Sequence, residues 1–140
     1  MTSPVVNQAI LDTSIYIDNF RSGKYQNELL DLKFVVRASA VVLAELGRGV
    51  VSKPSREFVE SLAKNLQIVA PEESDWLASG ELAAQLARRH GFDINKLRAL
   101  HFDVLIALTA RRIGAYLITS NRNEFEKIRA IKPFKVIYWT

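Results

Sequence analysis

Four carboxylates in this 140-residue chain stand at positions where their type and surroundings suggest chemistry: Asp12, Glu45, Asp103 and Glu124. Asp12 closes the short apolar segment Val5–Leu11 in the run Leu11-Asp12-Thr13-Ser14. There it can cap a following helix, since Asp, Thr and Ser all satisfy free backbone N–H groups, or it can bind a ligand. Glu45 falls three or four residues from Val41, Val42 and Gly49, on or beside the inward stripe that Leu46 and Val50 continue. A carboxylate there is costly unless a cation or several donors meet it; at the rim it would instead bend to water or to Arg48. Asp103 reads as a first-turn residue of a helix over Phe102–Ile113, where a negative charge suits the dipole. It also shares its face with Ile106, Ala107 and Ala110, small enough to let the helix approach a sheet closely. Glu124 follows an apolar strand, and Asn121 and Glu124 have the spacing of a capping box.

Taken together, these acids converge beyond one edge of a sheet. With no cysteine and only His90 and His101 as imidazoles, thiolate nucleophiles, iron–sulfur clusters and Cys-type or three-His zinc sites are excluded. An all-oxygen donor set suits Mg²⁺ or Mn²⁺, ions that activate water and neutralise charge on a scissile phosphodiester.

The elements that must position these residues follow from periodicity and punctuation. Short apolar strands are expected at Val5–Leu11, Phe34–Val36, Gln67–Ala70, Ala115–Ile118 and Lys135–Trp139. Helices are expected at Ser14–Phe20, Gln26–Leu32, from a Ser39 cap through Val50, Ser55–Asn65 behind Pro54, and from Pro71 to Gly91. Two more are expected at Phe102–Ile113, stopped by Gly114, and at Asn121–Ala130. Short strands alternating with helices predict an α/β fold, a parallel sheet flanked by helices on both faces. In such sheets ligands bind beyond the carboxyl ends of the strands. That rule alone nominates Asp12 and the turn Thr119–Glu124.

Composition bounds the rest. The length predicts one domain over residues 1–140, and 49% hydrophobic with 24% charged residues excludes a disordered or low-complexity chain. The longest apolar runs, Ala40–Ala44 and Val104–Leu108, are too short to span a bilayer. The first residues lack the basic patch and apolar core of a signal peptide, so a soluble, cytoplasmic protein is expected. Basic residues exceed acidic ones by eight to seven over residues 1–70 and by eleven to eight over 71–140. The bias suits a polyanionic partner such as nucleic acid, or simply a solvated surface.

Four segments, in order, resemble the PIN-domain ribonucleases and, within them, the VapC-type toxins of toxin–antitoxin pairs. They are Leu11-Asp12-Thr13-Ser14, Ala44-Glu45-Leu46-Gly47-Arg48-Gly49, Phe102-Asp103-Val104-Leu105-Ile106-Ala107, and the stretch Leu117-Ile118-Thr119-Ser120-Asn121-Arg122-Asn123-Glu124-Phe125. The resemblance covers nearly the whole chain. It implies that Asp12, Glu45 and Asp103 bind Mg²⁺, with Mn²⁺ as a substitute, and that Glu124 joins them where the family usually has Asp. That extra methylene can turn a direct ligand into a water-mediated one. Thr13, Thr119 and Asn121 look like supporting polar positions. The resemblance further implies an RNA substrate, a homodimer and a cognate antitoxin, and no membrane partner.

Arg48 and Arg122, neighbours of Glu45 and Glu124, are the candidate phosphate contacts. Arg111-Arg112 reads as a solvated helix end, and His90 and His101 as residues near helix ends without catalytic roles. Trp76 and Trp139 read as packing or interface residues, and Tyr16 and Phe20 as core, dimer or antitoxin-groove residues. A phosphoacceptor receiver would also place an Asp after a strand, but Lys132-Pro133 precedes the last strand and Glu45 would be left without a task. A nucleic-acid-binding partner without turnover is the alternative from a different functional class.

Overall fold

The computed structural model describes residues 6–140. Five strands form one sheet, β1 (Gln8–Leu11), β2 (Val35–Ser39), β3 (Ile68–Val69), β4 (Tyr116–Thr119) and β5 (Val136–Tyr138), in the order β3-β2-β1-β4-β5. Every pairing is parallel. Ala9, Ile10, Leu11, Leu117 and Ile118 are buried almost completely, as central strands covered on both sides must be. Of the expected strand Val5–Leu11, Val5 lies outside the described residues.

Seven helices connect the strands among the described residues: α1 (Thr13–Ser22), α2 (Gln26–Leu30), α3 (Ala40–Arg48), α4 (Lys53–Asn65), α5 (Glu73–His90), α6 (Ile94–Ile113) and α7 (Arg122–Ile131). The chain first winds from β1 outward to β3, then returns past β1 to β4 and β5. Right-handed crossovers in opposite directions put the two helix sets on opposite faces. Accordingly α3 packs with α1 and α4, and α6 packs with α5 and α7. The direction of winding reverses between β1 and β4, so the crevice of this fold opens at their carboxyl ends.

Local chemistry explains most boundaries. The Ser39 side chain accepts from the Val42 N–H to cap α3, and Ser52 with Ser55 builds a capping box at α4 with Pro54 in its first turn. Gly91 and Gly114 end α5 and α6 in the left-handed conformation that favours glycine.

The strand expected at Phe34–Val36 runs on to Ser39 as β2, and one boundary departs further from expectation. Helix α6 begins at Ile94, capped by Asp93, whose side chain accepts from the Lys96 N–H at 2.8 Å. Its first two turns expose Ile94, Asn95, Lys96, Arg98 and Ala99, so they lack the apolar stripe that would betray a helix. Asp103 therefore sits in the third turn of α6, not the first, and the helix dipole does not account for it. His101 is likewise in the body of α6, its Nε2 2.8 Å from Ser79 Oγ, rather than near a helix end. Arg112 is not simply solvated: it donates to Asp75 at 2.8 Å, to Glu72 at 3.2 Å and to the Ala70 carbonyl at 2.8 Å, tying α6 to the start of α5.

Candidate active site

Asp12 is the residue that leaves β1, and its backbone N–H still donates to the Ile118 carbonyl of β4 at 2.9 Å. The main chain thus holds it at the point where the winding reverses. Only 4% of Asp12 is exposed. Its Oδ2 accepts from Thr119 Oγ1 at 2.8 Å and from Ser14 Oγ at 2.9 Å. Thr119 Oγ1 in turn accepts from the Asn121 N–H at 3.0 Å, fixing the turn into α7. Burial raises the pKa of Asp12; the Thr119 and Ser14 hydroxyls and the Thr13 and Ser14 backbone N–H groups pull it back.

Glu45 sits half-buried on α3, where its Oε1 accepts from Thr13 Oγ1 at 2.9 Å. Burial again raises its pKa; the Thr13 hydroxyl opposes this, the Asp12 charge adds to it and the Arg48 charge opposes it. Arg48 itself is exposed and lies 5.3 Å from the Phe102 ring centroid, bridging α3 to α6 one residue before Asp103.

Asp103 is the most perturbed acid. Burial, reinforced by the charges of Asp12, Glu45 and Glu124, pushes its pKa up to about 8, with Lys96 opposing the shift. That Asp12, Glu45 and Glu124 all raise it brings the four sequence candidates into one electrostatic neighbourhood. Glu124 lies on the first turn of α7, and its Oε1 accepts from Lys96 Nζ at 2.8 Å, with Lys127 Nζ at 3.8 Å. The capping box suggested by Asn121 and Glu124 is not made, because α7 begins without a side-chain cap. Asn121 contributes through its backbone, as described above. Arg122 is exposed and stacks over the Tyr138 ring at 4.2 Å.

Two contributors escaped sequence reasoning. Ser14 offers a hydroxyl to Asp12, and the run Asp12-Thr13-Ser14 was its only sequence signal. Lys96 reaches Glu124 across 28 residues, from a helical turn that carried no signal at all.

The donor set fits a hard divalent cation. It is all oxygen, and among the described residues none of Asp12, Glu45 and Asp103 has an ion-pair partner. Burial raises the Asp103 pKa most, and the repulsion from Asp12, Glu45 and Glu124 that adds to it is what such a cation relieves. Among the described residues no three His, Cys, Asp or Glu side chains close into a ready-made metal cage, so the acids form an open constellation. Beside them runs a groove of about 230 Å³ between α1 and α4, lined by Tyr16, Phe20, Glu45, Val51 and Phe58. Phe20 stacks on Phe58 with ring centroids 4.9 Å apart, and the Tyr16 hydroxyl is buried without a partner. The receiver-like alternative loses its basis: Lys132 and Pro133 precede β5, at the sheet edge opposite Asp12.

Among curated proteins none matches this sequence. Solved structures do. The chain is similar to VapBC2 from Rickettsia felis bound to a DNA fragment from their promoter, at 27% identity over 95% of this chain and 99% of that one, with a TM-score of 0.70. VapBC-1 from nontypeable Haemophilus influenzae matches at 25% identity over 94% and 98%, with a TM-score of 0.69. DNA-bound VapBC from Salmonella typhimurium shares the fold at 22% identity over 96% and 100%, with a TM-score of 0.72. The PIN domain family model matches residues 9–131, a span containing all four acids. A parallel sheet whose winding reverses at Asp12, acids gathered at that switch point and this match over most of the chain place the protein in the PIN-domain family.

Proposed function

We propose that this chain is a metal-dependent endoribonuclease, one nuclease domain over residues 1–140, acting as the toxin of a toxin–antitoxin pair. The observation that carries the reading is the meeting of Asp12, Glu45, Asp103 and Glu124 beyond the carboxyl ends of β1 and β4, where burial first and then the charges of the other three raise the Asp103 pKa to about 8. In this reading Asp12, Asp103 and Glu45 hold Mg²⁺ or, in its place, Mn²⁺. The ion supplies charge neutralisation at the scissile phosphate and a lowered pKa for water.

The protein's own groups do the rest. Thr119 and Ser14 fix one oxygen of Asp12 and so set the orientation of its carboxylate. Thr13 orients Glu45, so that Glu45 or Glu124 can accept the proton of the attacking water at a carboxylate oxygen. Lys96 holds Glu124 in place. Arg48 and Arg122, both exposed beside the acids, draw in the polyanion that the carboxylates repel.

The similarity to VapBC complexes supports a cognate antitoxin as partner, and the apolar groove from Phe20 to Glu45 suits a segment of it. Exposed Trp76 and Leu77 on α5 suit an interface between two copies in a homodimer. No helix among the described residues is long and apolar enough to cross a membrane, and cytoplasmic action on RNA follows from the reading.

End-mapping of a cleaved, defined RNA tests the chemistry. Metal-activated water leaves 5′-phosphate and 3′-hydroxyl ends, whereas a 2′,3′-cyclic phosphate overturns the mechanism. If wild type and Asp12→Asn bind RNA equally and neither cuts it, the chain is a binding module instead.

A further inference from the structure

The acids occupy one side of α7; its other side faces a second feature with the opposite charge. A cleft of about 650 Å³ runs between the C-terminal end of α5 and α7, lined by Arg89, His90, Arg122, Asn123, Glu126 and Lys127. Its one carboxylate, Glu126, is engaged elsewhere: it accepts from the Tyr138 hydroxyl and from Arg129. Arg89 and Arg122 have no carboxylate partner among the described residues. Lys127 Nζ lies 3.8 Å from Glu124, so the cleft joins the acidic site directly.

At the mouth of the cleft His90 stacks on Phe92, with ring centroids 5.3 Å apart and planes inclined by 19°. Lys96 and Lys127 place their ammonium groups over the same Phe92 ring, at 5.7 and 5.2 Å. Phe92 is thus fixed as the inner ring of the stack, and the exposed imidazole of His90 is its outer layer. Cations along a groove with an exposed aromatic face are the features by which proteins hold single strands: the cations track phosphates and the ring stacks an unpaired base. A duplex offers no free base face for such a ring.

We propose that this cleft binds the single-stranded RNA flanking the scissile bond, with Arg89 and Lys127 contacting successive phosphates and His90 stacking one base. The inference rests on the ribonuclease reading for the direction in which the strand leaves the site, but binding at the cleft is measurable without cleavage.

The test is fluorescence anisotropy of labelled dodecauridine RNA with the full chain in EDTA, titrated across salt concentrations. The double variant Arg89→Gln/Lys127→Gln should bind about tenfold more weakly and lower the slope of log K against log salt by about 1.4, since each phosphate contact to a single strand contributes about 0.7. A matched control, Lys33→Gln/Lys135→Gln, removes two charges that precede β2 and β5 at the opposite sheet edge, and should leave the slope unchanged. His90→Ala should weaken binding about five- to tenfold with the slope unaltered. An unchanged slope in the cleft variant, or an equal loss in the control, overturns the proposal. So does a loss confined to duplex DNA. A parallel Mg²⁺ cleavage assay separates the two readings. Wild type that cuts while the cleft variant binds normally refutes the cleft alone. Wild type that binds through the cleft but never cuts refutes the nuclease reading and leaves the cleft standing.

Discussion

Replacing Asp103 by Asn should make the metal-free protein more stable while abolishing its activity. The carboxyl has an ordinary pKa of 3.8 and is raised to about 8 in the fold. At pH 7 the unfolded chain carries it ionised, whereas the folded chain must hold a proton or bear a repelled charge. Because the folded state binds more protons, stability falls as pH rises from about 4 towards 8. The span from 3.8 to neutrality is about three units, which at about 1.4 kcal/mol each sets a ceiling near 4 kcal/mol. Asp103 keeps partial contact with solvent, which screens the penalty, so about 1–2 kcal/mol is expected at pH 7. For a chain of this length that is a rise in Tm of about 3–7 °C. Thermal denaturation of wild type and Asp103→Asn in EDTA, from pH 4.5 to 8, reads it directly. The gap should be small at the acid end and widen as pH rises, and Mg²⁺ should stabilise wild type more than the variant. An Asn variant that is less stable at pH 7, or a gap that does not change with pH, refutes the reasoning.

Three further outcomes follow from the geometry. Thr119→Val keeps the shape but removes a donor from buried Asp12 and an acceptor from the Asn121 N–H, so urea denaturation should show a loss of about 1.5–3 kcal/mol. Thr13→Val frees Glu45 without opening the core; calorimetric Mg²⁺ titration should show affinity down by about tenfold while Tm barely moves. Arg112→Gln cuts the tie from α6 to Asp75 and Glu72, and should cost about 2 kcal/mol in urea denaturation while leaving RNA cleavage per folded molecule unchanged.

Much of this architecture was legible because it depends on local rules. The central strands are short apolar runs, the glycines at 91 and 114 end helices in the left-handed region, and Ser39 caps α3 as its type predicts. The acids were legible for a related reason: each follows a strand or interrupts an apolar face, where an unpaired carboxylate is costly. What stayed hidden was long-range or solvent-facing. The first turns of α6 are exposed, so no periodicity marks them, and the sequence pattern places Asp103 in the first turn instead of the third. Lys96 meets Glu124 only because α6 starts early enough to carry it there. Asn121 has the sequence of a cap, yet its backbone N–H is engaged by Thr119 and its side chain closes no box. Arg112 looked like a free helix end because its partners, Glu72 and Asp75, lie 40 and 37 residues away.

The claim that the four acids form a metal-dependent nuclease centre is tested most directly by incubating total RNA with the purified protein in Mg²⁺, in EDTA, and as Asp12→Asn in Mg²⁺. The account predicts cleavage in the first case alone. Cleavage that persists in EDTA or in the Asp12→Asn variant contradicts it.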